Sequence, residues 1–309
     1  MKIYLNSRGF EQDSDYRWLE VHETGQTRLE NMPYILSAIA DLIEFNAPSL
    51  VLARDGYWLV DDYLADAIKS IQEIGLNREG FQAFQDLIKI DLDTIYSPEN
   101  QQIILLITGL EPDNWRDFIG RQIRLSIACI GEDCNETEQI FRGLATRTLD
   151  EQDRQRLTAE IKQAINFGGK EGVEVNYKHL IKLIEDSKNQ ALENKSPSDG
   201  DRIKIGGCTD VLKAELAADI KKYSLPKNQS PLVIVTDIQT EEALIEAQVW
   251  RGLASLVESE EWKILSKPEN PTESSAQSSD QNLYLFRFFV KNKFSPVLLF
   301  IAFFLRMLG

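Results

Sequence analysis

Histidine and cysteine are scarce in this chain: two of the former and three of the latter in 309 residues. Cys129, Cys134 and Cys208 show no paired spacing, so a secreted disulfide scaffold is excluded and the three read as thiols of a reducing cytosol. Cys129 and Cys134 flank Ile-Gly-Glu-Asp, but a zinc site would need two more ligands from Cys208 and a histidine at none of the recognised close spacings. His22 and His179 carry no cue to a nucleophile and read as ordinary surface or cap residues. The N-terminus lacks the apolar core of a signal peptide, since Met-Lys-Ile-Tyr-Leu-Asn alternates and turns polar at Asn6, Ser7 and Arg8. Phosphate-loop patterns are missing too. Gly206-Gly207-Cys208-Thr209 follows a strand and opens a helix but has neither Gly-x-x-x-x-Gly-Lys nor Gly-x-Gly-x-x-Gly, and Gly168-Gly169-Lys170 follows a helix. No cofactor is implied.

Acid is absent from Leu283 to Gly309, which holds Arg287, Lys291, Lys293 and Arg306. The first 282 residues therefore carry 30 basic and 49 acidic side chains, a charge of −19. A body so acidic repels nucleic-acid phosphates, and only the tail has the sign that anionic lipid attracts.

What is present is an α/β pattern, 43% apolar and 27% charged. Lys2–Leu5 and Tyr16–Val21 alternate as an opening hairpin. Helical spacing covers Pro33–Phe45, with Ile35, Leu36, Ile39, Leu42 and Ile43 on one face, and then Ser49–Ala53 reads as a buried strand. A second helical stretch at Asp61–Ile74 is followed by Phe81–Ile88, and the β-rich run resumes with strands at Gln102–Thr108 and Gln122–Ile130. Asn135, with Glu138 three residues on, reads as a capping box opening a helix to Thr148. Further helices are predicted at Asp150–Phe167 and Asn176–Asp186. After Ser187–Asp201, a connection rich in turn formers, the order is strand Arg202–Ile205, helix Thr209–Tyr223, strand Leu232–Thr236 and helix Thr240–Glu258, the βαβα pattern of a parallel, helix-covered sheet. The segments Gln139–Ala145 and Gln248–Ala254 are similar, each read as helical, and suggest either a duplicated unit or shared core demands. A close helix-sheet approach is expected at Gly143 and Gly252. The expected organisation is an α/β body over 1–187 with a mixed sheet and covering helices, a connection over 188–201, a βαβα segment over 202–265 packed on that body, a linker over 266–282 and an anchor over 283–309.

Ser266 to Asn282 has no aliphatic residue larger than alanine and cannot join a core. As flexible coil its seventeen residues would span roughly 20–25 Å. Beyond it, Phe294, Val297, Leu298, Leu299, Phe300, Ile301, Phe303, Phe304 and Leu305 build an apolar run, with Ser295 and Pro296 suited to its N-cap and first helical position. Sixteen helical residues reach about 24 Å against a hydrocarbon core of about 30 Å, and snorkelling by Arg287, Lys291 and Lys293 would extend the span and orient the body to the cytoplasm. The same run would suit a helix buried in the protein's own core or in a dimer interface. A leash of this composition argues for a membrane helix, either spanning or half-inserted.

The acids that follow strands are Glu132 and Asp133, Asp210, and Asp237. In open α/β sheets ligands bind at the carboxyl ends of strands, where converging carboxylates hold Mg²⁺; the plainer reading is that such residues cap the next helix. Finally, Met1–Leu19 (MKIYLNSRGFEQDSDYRWL) and Gly120–Ala145 (GRQIRLSIACIGEDCNETEQIFRGLA) resemble uncharacterised proteins encoded with NTPase-containing bacterial conflict, or defence, systems. That resemblance implies a regulatory or adaptor role beside an NTPase. The leading expectation is a membrane-tethered adaptor with a cytosolic protein partner, against an Mg²⁺-dependent enzyme working near the membrane or an effector that perturbs the bilayer through its tail.

Overall fold

The computed structural model describes residues 1–8, 16–30, 43–45, 47–54, 102–167, 173–190, 192–195, 203–226 and 231–265. Contacts divide the chain into two units, Met1–Gly56 with Asn100–Pro268, and Tyr57–Glu99 with Glu269–Gly309. The second unit lies outside the described residues, as do the helix expected at Asp61–Ile74, the segment Phe81–Ile88 and the tail. Of the helix expected at Pro33–Phe45, only Ile43–Phe45 is described, and it is not helical. No helix among the described residues is long and apolar enough to cross a membrane.

The first unit is α/β, built on one mixed sheet. Its strands are β1 (Lys2–Ser7), β2 (Arg17–Val21), β3 (Thr27–Glu30), β4 (Leu50–Arg54), β5 (Gln102–Leu110), β6 (Leu125–Glu132), β9 (Ile203–Gly207), β10 (Val233–Thr236), β11 (Arg251–Ala254) and β12 (Lys263–Leu265). Their order is β12-β9-β11-β10-β4-β5-β6-β1-β2-β3, while β7 (Ile165–Phe167) and β8 (Val173–Val175) form a separate hairpin. The expected opening hairpin is the β1–β2 pair, with Leu5 opposite Leu19. β5 and β6 are buried along nearly their whole length, and read accordingly as continuous apolar runs.

Four helices complete the core on one face: α1 (Asn135–Leu149), α2 (Glu151–Gln163), α3 (Tyr177–Asp186) and α4 (Asp210–Lys222). Phe141 and Leu144 of α1, Leu157 and Ile161 of α2, Leu180 and Ile184 of α3 and Leu212, Leu216 and Ile220 of α4 join Ile3, Leu5, Leu105 and Ile127 of the sheet in one cluster. A short α5 (Glu241–Glu246) lies on the opposite face, where Leu244 sits against Gly252.

Several expectations are corrected. The N-cap of α1 is Cys134 rather than Asn135 and makes no side-chain cap bond, and Glu138 is held in an ion pair with Arg54 instead of reaching back to the helix start. The helix from Asp150 ends at Gln163, and Ile165–Phe167 turns back as a strand. Part of the 187–201 connection is packed: Ser187 is buried against Gly143, and Lys195 bridges to Tyr223. The largest change is at Thr240–Glu258, where the helix stops at Glu246, Gln248 takes a positive φ of 50°, and Arg251–Ala254 enters the sheet between β9 and β10. Gln139–Ala145 is thus helix and Gln248–Ala254 turn and strand, which removes the duplicated-helix reading. Gly143 does mark a close approach, but to the Ser187 carbonyl rather than to the sheet.

Candidate functional site

Strand direction decides which loops meet. β10 and β11 are parallel, as are β11 and β9, whereas β10 is antiparallel to β4 and β4 to β5. The carboxyl ends of β9, β10, β11 and β5 therefore share one end of the sheet. α4 leaves β9 toward one face and α5 leaves β10 toward the other, with β11 between them, which is the topology that opens a crevice at the carboxyl ends of parallel strands.

Three loops meet there. Gly207 closes β9 beneath the loop that follows β11: its N–H donates to the Ser259 carbonyl (2.9 Å), and a Cβ on it would lie 2.5 Å from that oxygen. Cys208 follows, and Thr209 caps α4 by accepting from Leu212 N (3.2 Å). Ser255 is pinned by its N–H to the Thr236 carbonyl (3.1 Å), and its Oγ donates to Asp237 Oδ1 (2.5 Å). Burial pushes the Cys208 thiol up, and Asp237 reinforces this while Lys213 and Ser255 oppose it. The thiol is accordingly protonated at neutral pH and a poor nucleophile. From α2, Arg154 donates through Nη2 to the Thr108 and Gly109 carbonyls (2.8 and 3.1 Å) at the same end. Burial draws its guanidinium down, and Glu151, Glu111, Asp237 and Cys208 hold it up.

The four acids singled out from sequence do not come together. Asp210 and Asp237 belong to this end. Asp210 is the first residue of α4 and exposed, contributing to the helix dipole while Thr209 supplies the cap; Asp237 serves Ser255, and Thr240 caps α5. Glu132 and Asp133 end β6, which is antiparallel to β5, so they lie at the other end, beside Arg54. There Arg54 Nε donates to Asp133 Oδ2 (2.6 Å) and Nη2 to Glu138 Oε2 (3.0 Å). Asp133 is thus an ion-pair partner and not a cap. Among the described residues no group of three or more His, Cys, Asp and Glu side chains could hold a metal ion. Cys129 is buried mid-sheet, Cys134 is exposed at the start of α1, and neither approaches Cys208 along the sheet.

The carboxyl end of β9–β11 is also where apolar side chains face solvent. Val211 stands on the first turn of α4, Ile238 and Leu256 on the loops after β10 and β11, Phe118 and Ile119 on the β5–β6 turn, and Tyr16 at the start of β2, whose neighbours Arg17 and Ser7 pair at this end. Six of the nine exposed large hydrophobics among the described residues collect here. Scattered singly such residues mean little; Val211, Ile238 and Leu256 follow three adjacent strands, whereas the other three are spread from β5 to β2. The charge at this end is divided. Asp210, Glu242, Glu258 and Glu260 are exposed around β9–β11, whereas Arg116 and Arg121 are exposed on the β5–β6 turn. Asp210 and Asp237 are legible in the sequence as strand-end acids, but nothing there signals Ser255, because β11 lies inside an apparent helix.

Comparison with protein-family models, with curated proteins and with solved structures finds no match.

Proposed function

We propose that the chain is a membrane-tethered interaction module, and that the end of the sheet bearing Val211, Ile238 and Leu256 is its docking surface for a protein partner. The observation that carries this reading is the gathering of exposed apolar side chains at that one end. The acidic rim of Asp210, Glu242, Glu258 and Glu260 favours a partner with basic residues flanking its apolar contacts. The resemblance of Met1–Leu19 and Gly120–Ala145 supports placing that partner among the NTPases of bacterial conflict systems. The tether rests on sequence: Phe294–Gly309 follows a stretch too polar to join a core.

Burial of each large apolar side chain in the run Val297–Leu305 is worth about 1.5–3 kcal/mol, against about 1 kcal/mol for each of Arg287, Lys291 and Lys293 near an anionic surface. Hydrophobicity holds the protein and charge orients it. Truncation after Gln281 is expected to move the chain to the soluble fraction, while Arg287, Lys291 and Lys293 changed together to Gln leave it bound. A high-salt wash that extracts the full-length chain would refute the tether. For the docking surface, Val211→Asp with Leu256→Asp is expected to abolish recovery of co-purifying protein from a lysate of the native cell; unchanged recovery would place the partner elsewhere.

A second reading, an enzyme acting at the carboxyl ends of the strands, draws on the Ser255–Asp237 pair and its neighbour Cys208. Ser255→Ala and Asp237→Asn separate the two readings: a docking surface tolerates both, and an enzyme loses activity in a folded protein.

A further inference from the structure

The β5–β6 turn differs from the rest of the docking end in charge and in rigidity. Phe118 is 45% and Ile119 58% exposed, adjacent in sequence, at the tip of a turn that is fixed from inside. Asp117, its carboxylate fully buried, accepts from Ile119 N (3.0 Å) and Arg121 N (2.8 Å) through Oδ1, and from Arg121 Nε (2.7 Å) and Arg8 Nη1 (3.2 Å) through Oδ2. Gly120 takes a φ of +85° that closes the turn, its N–H donates to the Asp117 carbonyl, and Arg116 Nη1 reaches back to the Gly120 carbonyl (3.0 Å). Trp115 is buried beneath, its ring 4.5 Å from that of Phe167. Two apolar side chains held outward on so braced a turn lose little conformational freedom when they insert into something.

The surroundings name the occupant. Among the described residues, Glu111 is paired with Arg124 and Asp117 with Arg8 and Arg121, while Arg116 and Lys162 stand with the exposed carboxylate of Asp113. This small cationic patch lies on a body whose first 282 residues carry −19. An apolar tip collared by arginines on an otherwise acidic protein fits an anionic bilayer surface, where apolar residues enter the headgroup–acyl boundary and cations stay with the headgroups. We propose that the turn Trp115–Arg121 is a lipid-contacting loop that seats Phe118 and Ile119 in the interface of an anionic membrane.

The proposal rests on the tether of the preceding section, because one small apolar contact is reversible alone and a second anchor supplies the effective concentration. The length of the connecting chain allows both contacts. β12 runs antiparallel to β9, so Leu265 sits beside Ile203 at the far end of the sheet, five strand spacings or about 24 Å across from β5. Fully extended, the seventeen residues from Ser266 to Asn282 reach about 56–61 Å, more than those 24 Å combined with the roughly 30 Å length of the nine-residue β5. In that pose the acidic sector over β9–β11, which anionic lipid repels, remains for a protein partner beside the membrane.

The test uses full-length Phe118→Trp reconstituted into vesicles containing phosphatidylserine, with and without bromine on the upper acyl carbons, against the wild type with its five tryptophans. The expected result is a blue-shifted emission from the added tryptophan that brominated lipid quenches, with quenching lost in vesicles of zwitterionic lipid alone. Ile119→Trp is the second reporter should Phe118→Trp fail to fold. Flotation with the vesicles but no quenching of either tryptophan overturns the loop and leaves the tether standing. Failure to float overturns both. A blue shift that follows protein density and ignores bromine seats the turn on a second copy of the chain, and equally overturns the proposal.

Discussion

Arg142 donates each of its five N–H groups inside the protein, although its side chain is wholly buried. Nε meets the Ile220 carbonyl (2.8 Å), Nη1 the Asn194 Oδ1 (2.9 Å) and Glu138 Oε1 (3.5 Å), and Nη2 the carbonyls of Glu193 (2.7 Å) and Lys221 (3.1 Å). Two of those carbonyls close α4, where a cation also complements the helix dipole. Burial draws its guanidinium down and Glu138 opposes this. Arg142→Ala would leave Glu138 and four other acceptors short of a donor, at a cost of about 3–5 kcal/mol; the expected observation is a lower urea midpoint at unchanged slope. Asp117 gives a pH test. Burial works to raise its carboxyl, but the hydrogen bonds from Arg121 and Ile119 prevail and hold it below its ordinary value. A carboxyl depressed in the folded state contributes stability that is complete above its unfolded pKa and lost as pH falls through the folded one. The difference in melting temperature between the wild type and Asp117→Asn should therefore be constant near neutrality and shrink in acid; a difference independent of pH would show that the charge is idle. The thiols differ as well: burial pushes Cys129 up to about 12, whereas Cys134 is exposed. In the native protein iodoacetamide should label Cys134 first and leave Cys129 untouched, as peptide mapping would read directly.

At the scale of elements, the sequence is most legible where one residue type can satisfy one local need. Asn176 and Asp150 cap α3 and α2, Thr209 caps α4, and the apolar runs of β4, β5 and β6 leave no alternative to burial. It misleads where a tertiary partner outbids the local one. Glu138, three residues after Asn135, has the spacing of a capping box, but Arg54, a residue 84 positions away, takes its Oε2 while Leu225 N takes its Oε1 (2.9 Å). The N-cap position falls to Cys134, which makes no side-chain cap bond. Cys134→Ser is accordingly expected to stabilise the protein by about 0.5–2 kcal/mol, measured as a raised denaturation midpoint; no change would mean that solvent already satisfies those amides. Residues 248–254 fail for a different reason. A short fully buried strand and a buried helix turn have the same apolar content, so periodicity cannot separate them. The break is the left-handed Gln248, a residue type with no special preference for that conformation, and burial of Arg251 is made possible by Asp219 (2.8 Å) and the Trp250 ring (4.2 Å), neither visible in a linear reading.

In the first unit, the parallel strands β9, β11 and β10 meet the rest of the sheet at one antiparallel seam. Strand type can be read from a sequence, but strand direction cannot, and it is direction that sends Glu132 and Asp133 to one end and Asp210 and Asp237 to the other. The seam is the β10–β4 pair, where Val233, Ile234 and Val235 meet Leu52, Val51 and Leu50, all buried. Residues 203–265 join the rest of the unit through it and through α4, whose Leu212, Leu216 and Ile220 share the core of α1. Alone, those 63 residues would keep β12, β9, β11 and β10 but expose the inner edge of β10 and the apolar stripe of α4, and a segment of that size has a marginal core even when complete. Expressed by itself, 203–265 is expected to give collapsed amide chemical shifts and no cooperative melt. Co-expressed with 1–202 as a separate chain, it should co-purify, because the seam, the α1–α4 contact and the hydrogen bonds of Arg142 to Ile220 and Lys221 all cross the cut. Replacing Ile234 by Lys in the second fragment should abolish that recovery, since a fully buried position in the seam cannot take an unpaired charge. A dispersed, cooperatively melting 203–265 monomer would mean instead that β9–β12 form a domain of their own and that the seam is a docking contact between two finished folds.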